Sequence, residues 1–224
     1  MMIHHHPGDD LLLDLAAGRL PPGPALLAEV HAEMCPQCGQ RLRALEAVGG
    51  VLLESLPPRT LRPDALSRVL GAIDALPGDE ARRPPGAATT PVAGGPDWPA
   101  GAPWPQALRG MAFSPWKWIA PGMRWSRPLL PTAGDVNVFL LRIGPGRSLP
   151  AHTHGGLEWT QVLHGAFHDG HALFGAGDFD AADGNVHHQP VVQGPGDCIC
   201  LAAVDGRLRF DGMLARLAGS LVGM

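Results

Sequence analysis

The run from Gly146 to Gly165, GRSLPAHTHGGLEWTQVLHG, restricts the fold of this chain more than any other stretch. His152 and His154 are two positions apart, and on an extended strand side chains alternate between faces, so both imidazoles point the same way. Gly155-Gly156 follows as a bend, after which Glu158 can return its carboxylate toward the same centre. Two imidazoles and a carboxylate converging in this way form a metal-binding set. Completed by a third histidine, it suits zinc, iron, manganese or nickel. The fourth ligand has to come from a later strand, where the histidines on offer are His187 and His188.

The surrounding pattern agrees with a β domain. After Ala107 short apolar runs such as 136–143, 159–163 and 198–204 alternate with turn signals at Gly144-Pro145-Gly146, Asp169-Gly170 and Pro195-Gly196-Asp197. That spacing predicts an antiparallel sandwich or jelly roll. The segment 197–203 reads as a buried strand whose Cys198 and Cys200 share one face. They are either core residues or a thiol pair near the metal that oxidants modify, and are poorly spaced for a disulfide. His164, His168 and His171 read as surface or hairpin histidines, and the six tryptophans as core and linker anchors.

The N-terminal third has a different period. Between Asp9 and Leu76 the apolar residues recur at helical spacing. A short first helix is capped by Asp9 or Asp10, and a second runs from Pro24 toward Met34. A third opens at Pro36 and reaches about Leu56, and a fourth covers 64–76. Eight of the 24 prolines crowd between Pro77 and Pro105, where periodicity vanishes, which marks a semi-stiff tether up to at least Gly95. The expected organisation is α+β with two domains: a four-helix domain at 1–78, a Pro/Gly-rich linker at 79–105 and an all-β barrel at 106–224.

Charge and hydropathy exclude several roles. A net charge of -4 supplies no basic field for phosphates, so direct nucleic-acid binding is not expected. The helical third carries nine acids against six arginines, which suits a basic protein partner. No apolar stretch approaches the ~20 residues that span a bilayer, and the N-terminus has no signal-peptide core. A cytoplasmic location follows as the expectation. In that compartment the four cysteines stay reduced and read as metal or redox chemistry before disulfides.

Two of those cysteines fit zinc. His31, Cys35 and Cys38 stand at i, i+4 and i+7, close to one face on a continuous helix. Zinc requires four ligands, and the fourth can come from His4-His5-His6 if the tail folds back over the helices. A domain of about 75 residues has a thin core that such a staple would reinforce.

These motifs carry a family resemblance. HAEMCPQC (His31–Cys38) with an upstream histidine resembles the H-x3-C-x2-C motif of zinc-binding anti-sigma domains. Gly146–Gly165 matches the first cupin motif, G-x5-H-x-H-x3-E-x6-G, at every fixed position. Together they cover nearly the whole chain and resemble the ChrR-type anti-sigma factors, in which a zinc-binding anti-sigma domain is joined to a cupin-like barrel. The resemblance implies zinc on His6, His31, Cys35 and Cys38, with His5 as substitute for His6. It implies a barrel metal on His152, His154, Glu158 and His188, with His187 as the alternative. It further implies that the helical domain sequesters an extracytoplasmic-function sigma factor. The barrel would release it on an oxidative signal, singlet oxygen or an organic hydroperoxide. The rival readings are a metal-dependent cupin enzyme, a dioxygenase or isomerase, and a zinc adaptor for another protein partner.

Overall fold

A computed structural model gives the positions of residues 2–75, 97–99, 102–129, 136–206 and 208–211, without the side chains of His154 and 208–210. The tether expected up to Gly95 lies outside the described residues. Four helices come first: α1 (Asp9–Ala16), α2 (Pro22–Met34), α3 (Pro36–Glu54) and α4 (Ala65–Asp74). Gly8, not an aspartate, takes the N-cap of α1. Asp9 and Asp10 lie in its first turn, where carboxylates face the positive end of the helix dipole. Pro36 opens α3, where its missing N–H costs nothing, and Cys35 between α2 and α3 is extended at φ -108°, ψ 105°. α1 packs on α3 and α2. Beyond Leu45 the rest of α3 is exposed, and α4 has no buried residue.

A short 3-10 turn (Gln106–Leu108) precedes eleven described strands. β1 (Lys117–Ala120), β2 (Met123–Ser126), β3 (Val136–Ile143), β5 (Glu158–His164), β8 (Phe179–Ala182) and β10 (Cys198–Asp205) form a six-stranded sheet in the order β1-β2-β3-β10-β5-β8. β6 (Ala166–His168), β7 (Leu173–Gly175) and β9 (Val191–Gln193) form a second sheet in the order β7-β6-β9, and β4 (His152–His154) pairs with β11 (Leu208–Phe210). All these pairings are antiparallel, as the turn-rich sequence predicts.

The inner core joins both sheets through Phe139, Leu141, Val162, Phe167, Phe174 and Val192. Along β10 the side chains of Cys198, Cys200, Ala202 and Val204 point to this core, while Ile199, Leu201 and Ala203 point outward. The outward set is buried as well, because α2 lays Leu26, Leu27 and Val30 on it. At roughly 1.5–3 kcal/mol for each large apolar side chain taken out of water, this seam is a substantial stabilising contact. Helical and β parts therefore share a core. Trp98, Trp104 and Trp116 pack against the same core, and the Glu33 carboxylate of α2 accepts the N–H groups of Gln106 and Ala107 at 2.7 and 3.1 Å.

Gly23 shows how tight the seam is. A Cβ there would stand 2.8 Å from Val138 Cγ2 and 3.0 Å from Val136 Cγ1, both on stiff β-branched side chains. Gly23→Val is expected to destabilise the chain by about 1–3 kcal/mol, read as a lower urea midpoint. An unchanged midpoint would mean that α2 is not seated this closely.

Candidate metal centres

In the N-terminal cluster, the donors come from four pieces of local structure. His6 sits on the extended tail, His31 in the last turn of α2, Cys35 at the break, and Cys38 in the first turn of α3. The break matters, because the donors converge across a helix junction and not along one continuous helical face. His6 Nδ1 lies 3.5 Å from Cys35 Sγ and 3.4 Å from Cys38 Sγ, and all four donors lie within 4.8 Å of one another. A tetrahedron with metal bonds of about 2.0–2.3 Å has edges of about 3.3–3.8 Å, so this spacing fits zinc. His31 is fully buried, and its Nε2 has no hydrogen-bond partner among the described residues. Burial pushes the Cys38 thiol up to about 12, helped by Cys35 beside it, and pushes His31 down to about 4. The pocket therefore disfavours thiolate charge unless a cation compensates it, which is the condition a bound metal meets. His5 faces elsewhere, with its ring on Phe174 and its Nδ1 3.5 Å from Asp178.

In the barrel, His152, Glu158 and His188 are buried together. The Nε2 atoms of His152 and His188 are 3.2 Å apart and lie 3.8 and 3.7 Å from Glu158 Oε2. His152 Nδ1 donates to the Pro150 carbonyl at 2.8 Å, which leaves Nε2 facing His188 and Glu158. The backbones of His152 and His188 bridge across the barrel mouth, and the register brings in His188. Adjacent residues on extended chain face opposite ways, and His187 is exposed and paired with Asp211 at 2.8 Å. The side chain of His154 lies outside the described residues; its backbone is in β4.

Sequence reading did not single out Asp180 and Asp169, which group with His188. Burial, with the charges of Asp169 and Glu158, raises the Asp180 carboxyl to about 6. Its inward position on β8 follows from strand alternation once the register is known, and no motif marks it. Asp180, the three clustered donors, Cys198 and Cys200 all line one barrel cavity of about 40 Å³, enough for water or a very small ligand. The two thiols lie 3.7 Å apart. The hydrogen bond with Cys198, together with burial, drives the Cys200 thiol well above its ordinary range, so it stays protonated and unreactive at rest.

Fold and donor sets together define a class: a small helical module with a buried His2Cys2 donor cluster, seated on a cupin-like β barrel that has a second donor cluster. Residues 106–205 match the family model described as the ChrR cupin-like domain. The chain is 38% identical over 218 residues, 97% of each chain, to the anti-sigma-E factor ChrR of Cereibacter sphaeroides. It also resembles the crystal structure of Rhodobacter sphaeroides SigE in complex with the anti-sigma ChrR, with TM-score 0.70 and 35% identity over 91% of this chain and 100% of that one. This chain belongs to the ChrR family.

Proposed function

We propose that this chain is a cytoplasmic anti-sigma factor that holds an extracytoplasmic-function sigma factor with its zinc-bound helices. The barrel releases that hold when an oxidative signal, singlet oxygen or an organic hydroperoxide, reaches it. The observation that carries the reading is a set of apolar side chains on α3 and α4 left exposed among the described residues. Val48, Val51, Leu52 and Leu53 on α3, with Leu66, Val69, Leu70 and Ile73 on α4, are between 43% and 72% exposed. Large apolar side chains exposed in such number on two neighbouring helices in the chain mark a surface that a partner covers. Likeness to a named anti-sigma factor over 97% of the chain supports a sigma factor as that partner and favours a regulator over a cupin enzyme. Among the described residues no helix is long and apolar enough to cross a membrane.

In this reading His6, His31, Cys35 and Cys38 hold zinc, which supplies a structural clamp fixing α3 against α2. His152, His154, Glu158 and His188 hold zinc, iron, manganese or nickel in the barrel. A change at the barrel cluster alters how the barrel grips α2, and with it the population of the sigma-holding arrangement.

Co-expression of the full chain with a candidate sigma factor tests this reading. The expected result is a stable complex after affinity purification and gel filtration. Replacing His152, Glu158 or His188 with alanine is expected to leave that complex intact and to blunt induction of a sigma-dependent reporter by singlet oxygen or hydroperoxide. A zinc-replete chain that retains no sigma factor overturns the first claim, and unchanged induction in the barrel variants overturns the second.

A further inference from the structure

The two histidines of the N-terminal cluster are held in place from outside the helical domain. Gln161 of β5 is fully buried and points outward onto α2. Its Nε2 donates to the Val162 carbonyl at 3.0 Å and faces the Met34 sulfur at 3.7 Å, which fixes the orientation of the amide. Gln161 Oε1 therefore faces His31 Nδ1 at 3.0 Å and accepts its hydrogen. With Nδ1 so occupied, Nε2 presents its lone pair to His6, Cys35 and Cys38. The Phe179 ring, on the residue paired with Gln161 across β5 and β8, meets the His31 ring edge-on with centroids 5.6 Å apart.

The tail is held just as directly. Buried Asp178 accepts the N–H groups of His4 and His5 on Oδ1 at 2.7 and 3.0 Å, and that of Gly175 on Oδ2 at 2.8 Å. Phe179 N–H donates to the His5 carbonyl at 3.1 Å. The tail is thus fastened to the start of β8 one residue before His6.

We propose that Gln161 and Asp178 are positioning residues for the N-terminal metal ligands, Gln161 for the His31 ring and Asp178 for the tail bearing His6. The proposal rests on the zinc reading of that cluster. It makes one pair of strands serve both clusters from opposite faces. β5 turns Glu158 inward and Gln161 outward, while β8 turns Asp180 inward and Phe179 outward. A shift of these strands would therefore reach the zinc ligands through Gln161, Asp178 and the adjoining backbone of Gly177 and Phe179.

The test uses the full chain. Zinc content of the wild type against Cys35→Ala comes first, and equal zinc in both removes the cluster reading and this inference with it. A difference establishes the cluster, and competition with a chromophoric chelator then measures zinc affinity in Gln161→Leu and Gln161→Glu. Loss of the acceptor in Gln161→Leu is expected to weaken zinc about 10–100-fold, while Gln161→Glu, which keeps an acceptor, stays within about threefold of wild type. Wild-type affinity in Gln161→Leu, or the same loss in both variants, overturns the role of Gln161.

Amide exchange in the wild-type chain needs no substitution. Stripping zinc with a chelator is expected to speed exchange at the Phe179 N–H by at least about tenfold while β3 and β10 stay protected. Unchanged protection at Phe179 overturns the tail coupling.

Discussion

Cys35→Ala is expected to abolish sigma-factor retention and to remove one zinc per chain. Cys35 is buried at the extended residue where α2 ends and α3 begins, so its sulfur ties the two helices at their joint. The apolar support nearby is slight: Leu12 packs with the two cysteines, flanked by Ile3 and Leu45. Structural zinc contributes about 10–16 kcal/mol of apparent binding energy in small domains, more than so few apolar groups provide. α2 would stay on the barrel through Leu26, Leu27 and Val30, whereas α3 and α1 would lose their anchor. The expected measurements are a fall of at least ~100-fold in sigma affinity, lower helical circular dichroism, and an unchanged near-ultraviolet signal from the barrel tryptophans. Full retention of the sigma factor by the variant would sink the clamp role.

The second large effect separates the gripping surface from the clamp. Leu66 and Leu70 stand one turn apart on α4 and are 72% and 52% exposed. The double substitution Leu66→Glu and Leu70→Glu is expected to leave zinc content unchanged. Stability of the free chain should also hold, since exposed substitutions usually fall within about ±0.5 kcal/mol. Burying either carboxylate against an apolar partner surface costs several kcal/mol, so sigma affinity is expected to fall by ~100-fold or more. Isothermal titration with purified sigma factor checks this, and wild-type affinity would remove α4 from the contact surface.

Much of this architecture is legible in the chain itself. The spacing of His152, His154 and Glu158 announces a strand, a bend and a donor set, and Pro36 announces a new helix. What periodicity cannot reveal is which surface covers an apolar stripe. Leu26, Leu27 and Val30 on α2 and Leu66, Val69 and Leu70 on α4 look equivalent as sequence, yet the first set is buried against β10 and β3 while the second faces solvent. Periodicity alone does not separate His187 from His188, because neighbouring residues differ only in parity and parity depends on the pairing with His152; the family resemblance points to His188, the one that clusters with His152 and Glu158. Gln161 and Asp178 carry no motif at all. Their importance arises from β5 meeting α2 130 positions away and the start of β8 meeting the tail 174 positions away in the chain.

The seam between α2 and the outer face of the sheet constrains any degradation-based route to activation. A single protease nick between residues 75 and 97 would leave both fragments clasped through Leu27, Ile199 and their neighbours, with the sigma-holding helices still assembled. Turnover by that route has to extract α2, which strips the cover from Val138, Leu140 and Leu201 and leaves a sticky remnant that quality-control proteases would clear next.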